Sequence, residues 1–261
     1  MNPIKPEFEF FHITDKGPVR ENNEDAIGFY EYDDGICMIV ADGLGAHNAG
    51  EVASQLALEI MRREMTNQAG LGLSAKSLRI AIRQANLEIY QKAITVPELA
   101  HMGTTVTASI ITGGTLLAAH IGDCRLYMLR NGIFTQLTKD HTWVGERVEY
   151  GILTPEEART HPNRHILTRY LGYELLASID FLKIDIQPHD IFLQCSDGAY
   201  EVLLDVELAD IVQSNKPEDA CTTIIKKSRE AGAEDNISVQ IVSIINPGMH
   251  KDQPSWWKFW R

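Results

Sequence analysis

Four apolar runs in this 261-residue chain are bounded by an aspartate. Asp42-Gly43 follows "ICMIVA", Asp123 follows "TLLAAHIG", and Asp197-Gly198 follows "IFLQCS", whereas Asp235 precedes "ISVQIVSI". A single Asp-Gly pair is typical of an ordinary turn. Here an aspartate recurs beside four apolar runs, each of which has the pattern of a buried strand. This recurrence predicts that carboxylates gather at the ends of strands.

A predicted N-terminal hairpin supplies two more acids. "AIGFYE" and "ICMIVA" are joined by "YDDG", a strong hairpin signal, and counting pairs back from this turn puts Asp25 opposite Asp42. Neighbouring antiparallel strands place the carboxyl end of one beside the amino end of the next, so paired strands would also bring Asp197 to Asp235. We therefore expect six acids on one sheet edge: Glu24, Asp25, Asp42, Asp123, Asp197 and Asp235.

Such a cluster of acids needs a counter-charge. Carboxylates packed together repel one another and raise one another's pKa values, and hard divalent cations remove that cost. The predicted set contains oxygen donors and neither histidine nor cysteine, which favours Mg²⁺ or Mn²⁺ over Zn²⁺. The sequence therefore predicts a magnesium or manganese site.

Composition limits the class of protein. The chain is 44% hydrophobic and 23% charged, with a net charge of −12, which argues against nucleic acid as a partner. Its four cysteines are scattered without Cys-x-x-Cys spacing, which indicates buried free thiols in a reducing compartment. The first residues lack the build of a signal peptide, and no run approaches the ~20 apolar residues of a spanning helix. We expect a cytoplasmic monomer.

The predicted elements come in blocks. Helices are predicted over 49–65, over a segment capped by Ser74, and near 206–213 and 217–230. Strands joined by short turns, including Asn131-Gly132, lie between the helix pairs. A polar segment, residues 138–172 (the connecting segment), holds one short helix capped by Thr154. Hairpin-linked strands with paired helices predict an α+β fold of antiparallel sheets covered by helices.

Eight motifs occur in the order seen in one family. They are "VRENNEDA", "VADGLGAHNAGEVAS", "GTTVTASI", "HIGDCRLY", "LTKDHTWV", "YGILTPEEARTHPNRHILTRYLG", "CSDGAYEVL" and "EDNISVQIV". Together they resemble the metal-dependent serine/threonine protein phosphatases of the type 2C (PPM) family, over roughly residues 8 to 244 and most closely the compact bacterial members. The resemblance implies a four-layer α-β-β-α sandwich with two central antiparallel sheets and the metal site at one end.

The resemblance also implies residue roles. Asp42 would bridge two central metals, the Gly43 carbonyl and Glu24 would bind the second, and Asp197 and Asp235 would bind the first. The other implied roles are a third-metal ligand (Asp123), a position beside the second-metal acid (Asp25), a residue that steadies the cluster (Asn236) and a receptor for the substrate phosphate (Arg20).

These roles predict direct hydrolysis of phosphoserine and phosphothreonine, in which two cations ~3.5–4 Å apart acidify a bridging water that attacks phosphorus in line. Arg20, Asp42 and Asp197 are then the catalytic residues. Leu44 stands where many eukaryotic relatives have a histidine proposed as general acid, so a metal-bound water is the expected proton donor. Ala46 stands where the bacterial pattern usually has glycine.

The histidines have weaker assignments. His120 lies inside an apolar run and is expected to be a core residue. His141, His161 and His165 are expected to hold the shape of the connecting segment. His47, in "GLGAH", is a less favoured candidate for direct catalysis.

Two other functions stay open on the residues alone. A catalytically silent relative could bind phosphoproteins as a regulatory module, although none of the four core metal acids is lost. A hydrolase of small phosphoesters could use the same metals. Turnover of a phosphothreonine peptide against small metabolite phosphates, with manganese and then with chelator, discriminates among these possibilities.

The expected partners are phosphorylated proteins, with serine/threonine kinases or proteins carrying forkhead-associated domains suggested by the resemblance. The catalytic domain is predicted over 1–245, followed by an aromatic and basic tail over 246–261. The tail's rings either fold back onto the body or form a weak anchor for a membrane surface or a partner protein. They are Trp256, Trp257, Phe259 and Trp260.

Overall fold

The computed structural model describes residues 5–46, 49–68 and 72–248. His47 and the tail aromatics therefore lie outside the described residues, and their assignments stay predictions. Within the described ranges, no helix combines the length and the apolar character needed to cross a membrane.

The first sheet has five strands in the order β1-β11-β10-β7-β8, with every neighbouring pair antiparallel. Its strands are β1 (Glu7–Asp15), β7 (Arg125–Arg130), β8 (Ile133–Gln136), β10 (Ile191–Cys195) and β11 (Ile237–Asn246).

The second sheet has the order β2-β3-β5-β6-β9, and a short strand, β4, pairs with β3. These pairs are also antiparallel. The strands are β2 (Asp25–Tyr32), β3 (Gly35–Leu44), β4 (Gly103–Thr104), β5 (Val106–Thr112), β6 (Thr115–Ile121) and β9 (Asp180–Asp185).

Helices cover the outer face of each sheet. The helices α1 (Ala49–Asn67) and α2 (Ala75–Thr95) pack on the second sheet, and α6 (Asp205–Ser214) and α7 (Pro217–Glu230) pack on the first. The predicted cap holds, because the Ser74 hydroxyl accepts a hydrogen bond from the Ser77 amide. Three short α-helices and a 3₁₀ turn at Pro97–Leu99 complete the described chain; the helices are α3 (Trp143–Glu149), α4 (Pro155–Arg159) and α5 (Asp197–Tyr200).

The alternation of side chains along β3 shows how the layers form. Cys37 and Ile39 point to the core beneath α1 and α2, whereas Ile36 and Met38 enter the core between the two sheets. Successive side chains of a strand face opposite sides, so a strand buried on both faces reads as a continuous apolar run. The predicted α-β-β-α sandwich is confirmed.

Two buried glutamines cross the inter-sheet layer. Gln194 of β10 donates a hydrogen bond from Nε2 to the Thr107 carbonyl of β5 (3.0 Å), and Gln240 of β11 donates to the Gly28 carbonyl of β2 (3.1 Å). Both side chains are fully buried. These bonds connect the two sheets directly.

The structure corrects the sequence prediction in two places. The acids lie at the ends of two sheets rather than on one sheet edge, because β2 and β3 belong to one sheet and β10 and β11 to the other. The sequence analysis assigned no element to β1, an edge strand, or to the short helices α3 and α5. The last strand continues to Asn246, one residue past the predicted domain boundary, and that boundary stays a prediction.

Candidate metal centre

The β2–β3 hairpin places the first two acids. Asp25 pairs with Asp42 in the observed register, as the count back from the turn predicts. Two threonines fix the backbone of Asp42, Thr104 at the end of β4 and Thr105 directly before β5. Thr104 Oγ1 donates to the Asp42 carbonyl at 2.8 Å, and the Asp42 amide donates to Thr105 Oγ1 at 3.1 Å. The Asp42 carboxylate therefore projects from a backbone whose amide and carbonyl are both fixed by hydrogen bonds.

Glu24 lies where three chain segments meet. Its carbonyl accepts hydrogen bonds from the Gly43 amide (3.1 Å) and from Ser54 Oγ of α1 (2.6 Å). A Cβ on Gly43 would lie 2.1 Å from the Gly50 carbonyl oxygen, so only glycine fits between β3 and α1. The glycine of the Asp-Gly pair thus permits close packing beside the acids.

Asn236 ties the loop before β2 to the first sheet. Its buried side chain accepts from the Glu24 amide (2.7 Å) and donates to the carbonyls of Lys16 (2.8 Å) and Asn22 (2.9 Å). The adjacent Asp235 forms an ion pair with Arg20 of the same loop, with Nη2 2.5 Å from Oδ2. The predicted steadying residue and the predicted phosphate receptor therefore both lie against the acid cluster.

Ser196 joins the two sheets at the acids. Its hydroxyl donates to Asp25 Oδ2 at 2.7 Å and accepts from the Ser238 amide at 2.9 Å. Asp197 follows as the first residue of α5, and a Cβ on Gly198 would lie 2.2 Å from the Asn236 carbonyl oxygen. The strand ends of β10 and β11 are thus packed directly against the hairpin.

Asp123 occupies the turn that links β6 to β7 and so passes from one sheet to the other. The buried Tyr200 hydroxyl donates to its carbonyl at 3.0 Å. The preceding Gly122 amide donates to His141 Nδ1 at 3.1 Å, and His141 Nε2 lies 3.2 Å from Asp180 Oδ2. The turn that carries Asp123 is therefore held by α5 and by the connecting segment.

The acids perturb one another. Burial and then the charges of its acidic neighbours, led by Asp25 and Asp197, raise the pKa of Asp42 well above its ordinary value. Burial raises the pKa of Asp25 to about 6, although the hydrogen bond from Ser196 acts to lower it. Burial and then the charge of Asp140 raise the pKa of Asp123 to about 7. Burial and the charge of Asp123 likewise raise the pKa of Asp197. Buried acids lacking a matching positive charge are the observation that fits divalent cations.

The acids are spread more widely than a single-ion site. In the described part of the chain, only one set of three residues brings a ligand atom from each within 4.8 Å of the others: His165, Asp197 and Glu201. Of the six predicted acids, this set includes Asp197 alone. A two-metal site is broad, because cations ~3.5–4 Å apart have ligands on their outer sides as well as between them.

The histidines differ in what they contact. His120 is buried, as expected, with Nε2 2.9 Å from the Lys139 carbonyl, and burial lowers its pKa to about 4. His141 and His161 hold the connecting segment, the latter stacked on Trp143. His165 instead contacts Glu201, the residue directly after α5, with Nδ1 3.1 Å from Oε1, and its side chain is 51% exposed.

Sequence reasoning missed several residues at this centre. Thr104 and Thr105 lie in "GTTVTASI" and Ser196 precedes Asp197 in "CSDG", so the motifs contain them without signalling that their hydroxyls hold the acids. Glu201 has no local signal, since its contact with His165 spans 36 residues of sequence.

Comparison with known proteins agrees with this geometry. Residues 18–238 match the family model described as Protein phosphatase 2C. The chain is 36% identical over 235 residues to the serine/threonine phosphatase stp of Listeria monocytogenes, covering 88% of this chain and 93% of that protein.

Solved structures give the same result. The Stp1 serine/threonine phosphatase of Staphylococcus aureus superposes with a TM-score of 0.86 at 29% identity, covering 94% of this chain and 97% of that one. The catalytic domain of the protein phosphatase PstP, in complex with two manganese ions, gives 0.80 at 33% identity, covering 92% and 99%. The chain therefore belongs to the protein phosphatase 2C family of metal-dependent serine/threonine protein phosphatases.

Proposed function

We propose that this protein removes phosphate from phosphoserine and phosphothreonine in proteins, at the acid cluster between the two sheets, in opposition to a serine/threonine kinase. The observation that carries this proposal is the convergence of Asp42, Asp123 and Asp197, each with a raised pKa, near Asp235, which forms an ion pair with Arg20. Membership of the family supports the phosphatase activity, and the clustered acids of this chain support the position of the active site.

The proposed ligands follow the sequence prediction. Asp197 and Asp235 would hold one Mn²⁺ or Mg²⁺, Glu24 and the Gly43 carbonyl the other, and Asp42 would contact both. When bound, the two cations would supply an acidified water as nucleophile and neutralise charge on the phosphate. A third cation near Asp123 is part of the same proposal.

The chain's own residues prepare this chemistry before substrate arrives. Thr104 and Thr105 fix Asp42, Ser196 orients Asp25, and Asn236 holds the loop that carries Arg20 and Glu24. These hydrogen bonds restrict the acids to positions set by the backbone, so little reorganisation is needed when cations bind.

The exposure of Arg20 supports its proposed role as the receptor for the substrate phosphate. Its side chain is 49% exposed, so its guanidinium can exchange the Asp235 carboxylate for an incoming anion. A planar guanidinium can donate two parallel hydrogen bonds to phosphate oxygens.

A groove beside the site favours a polypeptide over a small phosphoester. It encloses about 1090 Å³ between the connecting segment and α5, and it runs from Asp123 past Val144 and Arg159 to Leu204 and Val206. Side chains along such a groove can contact residues that flank a phosphoserine or phosphothreonine, which a small metabolite lacks.

The test compares substrates under controlled metal. With Mn²⁺ we expect kcat/KM for a phosphothreonine peptide to exceed that for small metabolite phosphates, and chelation to abolish both. Equal or greater turnover of the small phosphates would favour the phosphoester hydrolase, and binding of phosphoproteins without turnover would favour the silent module.

A further inference from the structure

His141 binds both backbone polar groups of Gly122, the residue directly before Asp123. The Gly122 amide donates to His141 Nδ1 at 3.1 Å, and the His141 amide donates to the Gly122 carbonyl at 2.8 Å. The His141 carbonyl in turn accepts from the Thr168 amide at 2.8 Å. Residues near both ends of the connecting segment therefore meet at the turn that passes from one sheet to the other.

Gly122 adopts a backbone conformation that has to be held. Its φ is 103°, and a Cβ at this position would lie 2.4 Å from Thr105 Cβ. Because glycine has access to many other conformations, the two hydrogen bonds from His141 select the one that packs on Thr105. Thr105 Oγ1 also accepts from the Asp42 amide. The turn of Asp123 and the backbone of Asp42 are thus held against each other through Gly122 and Thr105.

The hydrogen bonds of the imidazole fix the position of its proton. Because Nδ1 accepts from an amide, the ring proton lies on Nε2, which donates to Asp180 Oδ2 at 3.2 Å. Asp180 Oδ1 accepts from Arg169 Nη1 at 3.0 Å, so the carboxylate presents one oxygen to each of two donors. The His141 side chain is 1% exposed, and burial lowers its pKa, which agrees with a neutral ring.

We propose that His141, oriented by Asp180, is a positioning residue for the phosphatase reaction: it sets the turn that carries Asp123 and so the place of that carboxylate among the acids. This role rests on the proposed function. His141 is not one of the proposed metal ligands and acts through the backbone of Gly122. Residues that orient metal ligands contribute about 10- to 100-fold to metal affinity or activity, and we expect the lower end of this range because His141 acts through one further residue.

Two substitutions at His141 separate the two hydrogen bonds of its ring. Asparagine places its oxygen near the position of Nδ1, so His141→Asn keeps an acceptor for the Gly122 amide and loses the bond to Asp180. Glutamine places its amide near the position of Nε2, so His141→Gln keeps a donor to Asp180 and leaves the Gly122 amide unpaired. We expect His141→Gln to lower kcat for a phosphothreonine peptide by about tenfold with little change in KM, and His141→Asn to retain most of kcat.

Binding of Mn²⁺ to the full chain is measured separately, by water-proton relaxation. The most weakly bound Mn²⁺ should have about tenfold lower affinity for His141→Gln than for His141→Asn. Asp190→Asn is the control for lost stability, because it breaks an ion pair at the opposite end of β10 and should leave kcat and Mn²⁺ affinity unchanged. If the parent protein has no turnover, the proposed function fails, and the order of the Mn²⁺ affinities still decides the role of His141.

The ring proton gives a readout that needs neither metal nor substrate. Imidazole nitrogen NMR of the metal-free protein should show His141 as the Nε2–H tautomer, with the signal assigned by its absence from His141→Asn. Asp180→Asn offers one acceptor to two donors, Arg169 and His141, and should therefore give a mixture of tautomers and a smaller loss of kcat than His141→Gln. An Nδ1–H tautomer in the parent protein, or equal kcat and Mn²⁺ affinity in His141→Gln and His141→Asn, would overturn the proposal.

Discussion

The two ends of strand β10 show two ways of burying an aspartate. At its start, Asp190 is 1% exposed and forms an ion pair with Arg130, with carboxylate oxygens 2.6 and 2.8 Å from the guanidinium. Just beyond its other end, Asp197 faces Asp123, Asp235 and Glu201, all of which raise its pKa. A buried acid with a full counter-charge is structural, whereas several carboxylates packed together without enough counter-charge mark a cation site.

Each end also has an arginine, and the two arginines differ. Arg130 is 23% exposed and binds both Asp190 and the Asp185 carbonyl, so its donors are committed to the fold. Arg20 is 49% exposed and contacts Asp235 through Nη2. The comparison predicts that Arg130 serves stability and that Arg20 serves substrate binding.

The largest expected effect on activity comes from a substitution in the acid cluster. Asp42→Asn should lower kcat by more than about 100-fold, because loss of a residue that only supports a metal ligand already costs 10- to 100-fold. Steady-state turnover of a phosphothreonine peptide with Mn²⁺ measures this. Asp185→Asn, an exposed acid at the end of β9, is the matched control and should retain turnover. Near-normal activity in Asp42→Asn would mean that the unpaired acids do not mark the metal pair.

Arg20→Ala should mainly raise KM for the phosphopeptide. Hydrogen bonds to a charged group contribute about 1.5–3 kcal/mol, which corresponds to roughly 10- to 100-fold in affinity. Arg20→Lys keeps the charge without the planar fork and should give an intermediate KM. If KM for both variants matches the parent protein, Arg20 is a surface ion-pair residue and the contrast with Arg130 disappears.

Asp190→Asn should destabilise the fold without affecting turnover. Breaking a buried ion pair costs about 3–5 kcal/mol, and the partial exposure of Arg130 reduces this to about 2–3 kcal/mol. Urea unfolding of the metal-free protein measures the loss. Under the same conditions Asp42→Asn should be at least as stable as the parent protein, because it removes a repelling charge. A loss of stability in Asp42→Asn would indicate that the acid cluster also stabilises the fold.

The last expected effect is a pH dependence of stability. Burial raises the folded-state pKa of Asp25 to about 6 and of Asp123 to about 7, both above the ordinary value of 3.8. Folding therefore favours the protonated forms, and that contribution is lost as pH rises from about 4 to 7. The melting temperature of the metal-free protein should fall over this range, and Mn²⁺ should reduce the fall. A melting temperature that rises between pH 5 and 7 would contradict these shifts.

Local sequence signals correctly predicted the hairpin register and two helix caps. The "YDDG" turn fixed a count of residue pairs that placed Asp25 opposite Asp42, because hairpin register is set within a few residues of the turn. The caps at Ser74 and Thr154 were found for the same reason.

Contacts between distant segments could not be found in this way. Ser196 meets Asp25 across 171 residues, and Arg20 meets Asp235 across 215, so no short-range pattern encodes either contact. The expectation of a single sheet edge failed for a related reason: the turn at Asp123 passes between the sheets, and periodicity within a strand does not say which sheet it joins.

The two glutamines that cross the inter-sheet layer set the alignment on which the metal centre depends. Apolar side chains in the core between the sheets attract one another without regard to direction, so they tolerate small slides of one sheet over the other. The bonds from Gln194 to Thr107 and from Gln240 to Gly28 are directional and would be lost after a slide of a few ångströms. These two hydrogen bonds therefore hold the sheets in one relative position, in which the acids of both sheets meet at the same end of the sandwich.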